Sequence, residues 1–107
     1  MGYSVKVFEI LQTELFAQWF AKLRDPMAQA RINVRIRRLS LDNPGDVQPV
    51  GAGVSELRID YGPGYRIYYI KQNQTILVLL VGGDKRTQDN DIQQAIDLAK
   101  QFRQKES

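Results

Sequence analysis

ELRIDYGPGYRIYYI, Glu56 to Ile70, and ILVLLVGGDK, Ile76 to Lys85, decide how this chain folds. In the first stretch Leu57, Ile59 and Tyr61 alternate with Glu56, Arg58 and Asp60, the period-two pattern of a half-buried strand with its polar set on the exposed face. GPG turns the chain back. The return strand puts Arg66, Tyr68 and Ile70 on one face and Tyr65, Ile67 and Tyr69 on the other. Ile76 to Val81 is unbroken apolar and β-branched, as an interior strand covered on both faces requires, and GGD ends it. Three consecutive antiparallel strands therefore hold Arg58, Arg66 and Lys85 at their edges, which is a basic pocket on a rigid sheet.

On the N-terminal side, residues 4 to 9 alternate, with Val5 and Val7 on one face and Lys6 and Phe8 on the other, and predict a first strand. Thr13 caps a helix through Leu23, whose Leu15, Phe16, Trp19, Phe20 and Leu23 recur at helical spacing and form a core stripe. Asp25-Pro26 starts a second helix with Ala28, Ile32, Ile36 and Leu39 on one side and a basic opposite side. DNPGD, Asp42 to Asp46, stops it and leads through a loop at Gly51 to Gly53 into the sheet. On the C-terminal side, Ile92, Ala95, Ile96, Ala99 and Phe102 predict a helix over residues 88 to 103 that covers the sheet or lies along its edge. The order is β-α-α-β-β-β-α, an α+β arrangement with a small antiparallel-dominated sheet and helices largely on one face.

Composition narrows the chemistry. The chain's 107 residues suit a single domain spanning 1–107, and an apolar fraction of 43 % with 25 % charged is ordinary for a globular protein. No apolar run reaches the roughly 18 residues of a membrane span, and MGYSVKVFEI lacks the apolar stretch of a signal peptide, so a cytoplasmic location is expected. The absence of cysteine excludes thiolate nucleophiles, thiolate metal sites and disulfides, and the absence of histidine removes the usual metal ligand and the side chain that titrates near neutral pH. No acidic cluster suggests a carboxylate metal site, and no cofactor is expected. A net charge of +3 suits a polyanionic partner.

Arg66 is the foremost candidate, because a guanidinium offers a rigid fork of donors to phosphate oxygens and a strand edge holds it better than a loop. Its alternative is an ion pair with Glu56 or Asp60 across the hairpin. Arg58 shares the polar face and reaches toward the same phosphate; it stabilises charge but takes no proton. Glu56 is either a base or the partner of Arg58, and the pair is favoured. Lys85 and Arg86 precede the C-terminal helix, where free backbone N–H groups favour an anion, with Asp84, Asp89 and Asp91 opposing them. Among Tyr61, Tyr65, Tyr68 and Tyr69, Tyr68 shares the face of Arg66 and is the best platform for an unpaired base. Gln88 and Asn90 offer hydrogen bonds. Arg31, Arg35 and Arg38, at i, i+4 and i+7, form a stripe that either rests on the phosphates of a large RNA or is a solvated helix face, the second being favoured.

The ELR…GPGYR…GGDK pattern resembles the RelE-like toxins of bacterial toxin–antitoxin pairs, in particular the addiction-module killer branch close to HigB, from about Val5 to Leu98. The resemblance implies a ribosome-dependent mRNA endonuclease. The 2′-OH of the message attacks its own 3′ phosphate, with Arg58, Arg66 and Lys85 catalytic; on that reading Tyr68, Arg86, Gln88, Arg31, Arg35 and Arg38 are the candidates, from their positions alone, for contacts with the RNA. Lys85, at the GGDK position, protonates the leaving 5′ oxygen or stabilises its charge. The resemblance also implies a cognate antitoxin encoded next door, often with a helix-turn-helix domain. Two features depart from it: Glu56-Leu57-Arg58 stands where well-known members carry lysines, and no tyrosine follows Tyr69. Two alternatives remain open, a ParE-like inhibitor of DNA gyrase and an RNA-binding module without chemistry.

Overall fold

The computed structural model describes residues 6–106, with side chains as far as Gln104. Five strands and three helices follow in the order β1 (Glu9–Gln12), α1 (Glu14–Ala21), α2 (Pro26–Ser40), β2 (Val47–Gly51), β3 (Val54–Ile59), β4 (Tyr65–Asn73), β5 (Ile76–Asp84) and α3 (Gln88–Glu106), with a 3₁₀ turn at Lys85–Thr87 leading into α3. The strands form one sheet in the order β1-β5-β4-β3-β2. Every pairing is antiparallel except β1 with β5. The fold is α+β, as the alternation and helical spacing imply.

Three details differ from expectation. The first strand begins at Glu9 rather than residue 4; Val5 lies outside the described residues, and Lys6 to Phe8 approach the sheet as irregular chain. Phe8 is buried while Val7 is exposed, so the apolar residue that enters the core is Phe8. An extra strand, β2, replaces the expected loop before β3. Pro49 and Gly51 hide it, yet both are tolerated because β2 lies at the sheet edge, with a register irregularity between them. Finally, the helices do not gather on one face. α1 and α2 pack Phe16, Ala28, Ile32 and Leu39 against Leu57, Ile59, Ile67, Tyr69, Leu77 and Leu79. On the opposite face α3 packs Ala95 and Ala99 against Val54, Tyr68, Ile70, Val78, Leu80 and Val81.

Local signals fix the joints. The Thr13 hydroxyl accepts from the Phe16 N–H at 3.0 Å and donates to the Leu80 carbonyl at 2.7 Å, so one cap starts α1 and ties it to β5. Leu15 of the predicted core stripe is nevertheless exposed. Asp25 accepts from the Met27 N–H at 2.9 Å and from the Tyr61 hydroxyl at 2.8 Å, joining the start of α2 to the hairpin turn. Full burial of a side chain such as Ile32 or Leu57 contributes roughly 1.5–3 kcal/mol. Near the end of β5, a Cβ on Gly82 would lie 2.1 Å from the Trp19 ring of α1, and one on Gly83 would lie 1.9 Å from the Asp91 carboxylate of α3. Glycine is required at both positions so that the helices can close on the sheet from either side.

Candidate functional site

Register brings the cations together. Arg58 of β3 lies directly opposite Arg66 of β4, and Glu56 opposite Tyr68. Alternation puts all four side chains on the face that α3 covers. α3 and its 3₁₀ turn roof the Glu56–Tyr68 end and leave the Arg58–Arg66 end open. There Asp46, Arg58, Asp60, Gly64, Arg66 and Lys85 line a cleft of about 230 Å³, three cations against two carboxylates. Gly64, at φ +82°, closes the hairpin by donating its N–H to the Tyr61 carbonyl at 3.1 Å. A Cβ there would stand 3.4 Å from Arg66 Nη1 and 3.6 Å from Lys85 Cδ, so both cations converge on this turn, whose left-handed φ favours glycine.

Each cation is held differently. Arg66 is 8 % exposed; its Nη1 donates to the Tyr65 carbonyl at 3.1 Å and its Nε stands 3.8 Å from Glu56 Oε1 without a hydrogen bond. Arg58 is half-buried and donates through Nε and Nη2 to one oxygen of Asp46, at 3.2 and 2.8 Å. Asp46 hydrogen bonding raises the Arg58 pKa further, and Arg58 holds the Asp46 carboxyl below the usual carboxylate range. Lys85 is exposed and has no ion-pair partner among the described residues. Arg86 instead forks back onto Asp84, at 3.2 and 2.8 Å, which keeps the Asp84 carboxyl low.

Glu56 does not pair with Arg58, the partner expected from sequence. It is completely buried, and its Oε2 accepts from Gln88 Nε2 at 2.7 Å. Gln88 therefore turns inward rather than toward a ligand. Tyr68 does share the face of Arg66, but it too is completely buried beneath α3, so it offers no ring for base stacking. Its hydroxyl is buried beside the Glu56 carboxylate, and burial first, then that carboxylate, raises its pKa.

The α2 stripe is split in the same way. Arg35 donates to the Arg58 carbonyl at 2.7 Å and to the Pro44 carbonyl at 2.9 Å, bracing the 44–46 turn against β3. Arg31 lies over the Tyr61 ring, 4.7 Å from its centroid. Arg31, Arg35 and Arg38 border a second groove of about 560 Å³ with Met27, Val34 and Asp60. The residue missed from sequence is Asp46, which sat in a cluster whose turn signal masked its role; with Asp60, read from sequence as a possible partner of Arg66, it supplies the cleft's negative charge.

Among the described residues no group of histidine, cysteine or carboxylate side chains could hold a metal ion, and no helix is long and apolar enough to cross a membrane. A family model described as phage-derived protein Gp49-like (DUF891) matches residues 18–104. An uncharacterized protein of Haemophilus influenzae is 50 % identical over 94 residues, covering 88 % of this chain and 95 % of that protein. The family match starts within α1 and takes in the whole cleft and nearly all of α3, and on that extent the chain belongs to the phage-derived Gp49-like family.

Proposed function

We propose that this protein is the toxin of a type II toxin–antitoxin pair, a RelE-like endoribonuclease that cuts mRNA on the ribosome. The observation that carries the reading is the convergence of Arg66 and Lys85 around Gly64, at the open end of a sheet whose other end is roofed by α3. Gp49-like family membership, the α+β fold and the ELR…GPGYR…GGDK resemblance support the toxin context.

In this reading the ribose 2′ oxygen bonds to the adjacent phosphorus as the P–O5′ bond breaks, leaving a 2′,3′-cyclic phosphate and a 5′-OH. Intramolecular attack needs orientation and charge stabilisation more than an activated water. Arg66 presents its outer nitrogens to the phosphate. Arg58, already shared with Asp46, adds positive potential, and Lys85 neutralises or protonates the leaving 5′ oxygen. The 2′ proton passes to Asp60, the cleft carboxylate without an ion-pair partner among the described residues, or to solvent.

The test is primer extension on one message with protein alone, with protein plus programmed ribosomes, and with the Lys85→Ala variant, beside a gyrase supercoiling assay. New 5′-OH ends within the A-site codon, only when ribosomes are present, support the reading. Gyrase inhibition without RNA ends replaces it with the ParE-like alternative. Full cleavage by the Lys85 variant transfers the leaving-group role to Arg86 or the ribosome.

A further inference from the structure

Beneath the cleft lies a buried polar cluster of which the reaction above uses only the Arg66 guanidinium. Glu56 is completely buried, Tyr68 likewise, and Arg66 is 8 % exposed. Glu56 Oε1, Arg66 Nε and the Tyr68 hydroxyl are all buried and lie together, the Tyr68 hydroxyl beside the Glu56 carboxylate. A carboxylate removed from water is costly unless opposed by charge and donors, and here the opposing charge is Arg66, 3.8 Å away. The other carboxylate oxygen is fixed by Gln88 Nε2, from the first residue of α3, at 2.7 Å.

These contacts divide the Arg66 guanidinium into two edges. The Nε edge faces Glu56 in the interior, while Nη1 is held on the Tyr65 carbonyl beside Gly64, at the cleft. A guanidinium is planar, so the charge attraction of its Nε edge toward Glu56, together with the Nη1 hydrogen bond to Tyr65, sets the direction of the remaining donors. Complete burial keeps Glu56 from a substrate, which excludes it as a proton acceptor for a bound message and leaves it a role exerted through Arg66.

We propose that Glu56 is a positioning residue for Arg66: locked by Gln88 at the start of α3, its carboxylate orients the guanidinium so that the outer nitrogens, not the Nε edge, meet a substrate phosphate. The orientation is a property of the protein; its effect on cleavage rests on the ribonuclease reading. The loose 3.8 Å spacing suits the role, because a direct hydrogen-bonded fork would draw the guanidinium inward and away from the phosphate.

Two readouts test it. The first is NMR of solvent exchange at the Arg66 Nε–H in arginine-labelled protein. Glu56→Gln keeps the shape and removes the charge, and exchange should quicken by about tenfold or more, with a smaller increase in Gln88→Leu. The second is single-turnover cleavage on programmed ribosomes. Glu56→Gln should slow the cleavage step about tenfold, leave the half-saturating ribosome concentration within about twofold, and add no further loss to Arg66→Lys in the double variant. Unchanged exchange in both single variants overturns the positioning role, as does additive loss in the double variant. If Glu56→Gln does not fold, Gln88→Leu alone decides the matter by the same exchange measurement. Accelerated exchange in a protein that never cleaves RNA upholds the positioning role and removes the ribonuclease reading, so the two fail separately.

Discussion

The cleft at the end of β3 and β4 and the groove beside α2 are both lined by arginines, yet those arginines are in different states. Arg35 of α2 has placed both outer nitrogens on the carbonyls of Arg58 and Pro44, and burial, with Arg38 nearby, lowers its pKa. Arg66 of β4 makes one hydrogen bond to its own neighbour's carbonyl and forms with Glu56 the ion pair that the sequence offered as its alternative, at 3.8 Å and without a hydrogen bond. A cation's role is decided by what its donors already hold. The two regions are also connected, since Arg35 braces the turn that carries Asp46, and Asp46 holds Arg58. The helix arginine is scaffolding for the strand arginine.

The largest expected effect falls on the strand side. Arg66→Ala should reduce ribosome-dependent cleavage by about 10²–10³-fold, the scale for removing a donor aimed at developing charge. Because that change leaves Glu56 buried without an opposing charge, Arg66→Lys should accompany it: it keeps a charge near Glu56, melts within a few degrees of the parent and still loses most activity. Rapid cleavage by a well-folded Arg66→Lys would dissolve the distinction between the two regions.

Arg35→Ala should act on stability instead, by about 1–3 kcal/mol in denaturant melts, because it strands the Arg58 and Pro44 carbonyls. Any loss of cleavage should then track the loosening of the 44–46 turn. A stable Arg35→Ala protein that no longer cleaves would place Arg35 in the site itself.

Arg38→Ala sharpens the contrast from the other side. Arg38 is exposed on the groove and donates no side-chain hydrogen bond among the described residues, so its loss should weaken ribosome association only severalfold and reduce the salt dependence of binding by about one counterion. Titration of binding against ionic strength reads this directly, and an effect matching that of Arg66 would move the centre of the site to α2.

The smallest effect is on acid stability. Asp46, Asp84 and Asp25 are held below their ordinary value of 3.8 by Arg58, by Arg86 and by the Tyr61 hydroxyl respectively. Their contribution is complete above that value and is lost as pH falls through the lower folded-state values. Asp91 opposes them, because burial raises its pKa and proton uptake then favours the folded form. Melting temperature should fall below about pH 4, and Asp46→Asn should flatten the fall. An unchanged slope would mean that the Arg58–Asp46 pair at the cleft contributes nothing to stability.

Much of this comparison was legible in the residues. Period-two alternation through Glu56–Ile59 and Tyr65–Ile70 placed Arg58, Arg66 and Tyr68 on one face, and caps at Thr13 and Asp25 marked both N-terminal helices. What alternation cannot show is which face lies under a helix. Glu56 and Tyr68 read as outward residues because the polar set looked solvated, whereas α3 covers that face as far as Gln88. β2 was hidden by Pro49 and Gly51, whose breaker signals weigh equally at a loop and at a sheet edge. The fate of Arg35 rested on carbonyls 9 and 23 residues away, a separation invisible to any local pattern.

β4 and β5 contribute side chains to both apolar clusters, Ile67, Tyr69, Leu77 and Leu79 on one side and Tyr68, Ile70, Val78 and Leu80 on the other. A party wall cannot be pulled down from one house only. Loss of the α3 layer would expose the backs of the strands that support α1 and α2, and the converse holds equally. The two halves are therefore built to melt as one cooperative unit, and damage on the face away from the cleft reaches the cleft through the strands they share.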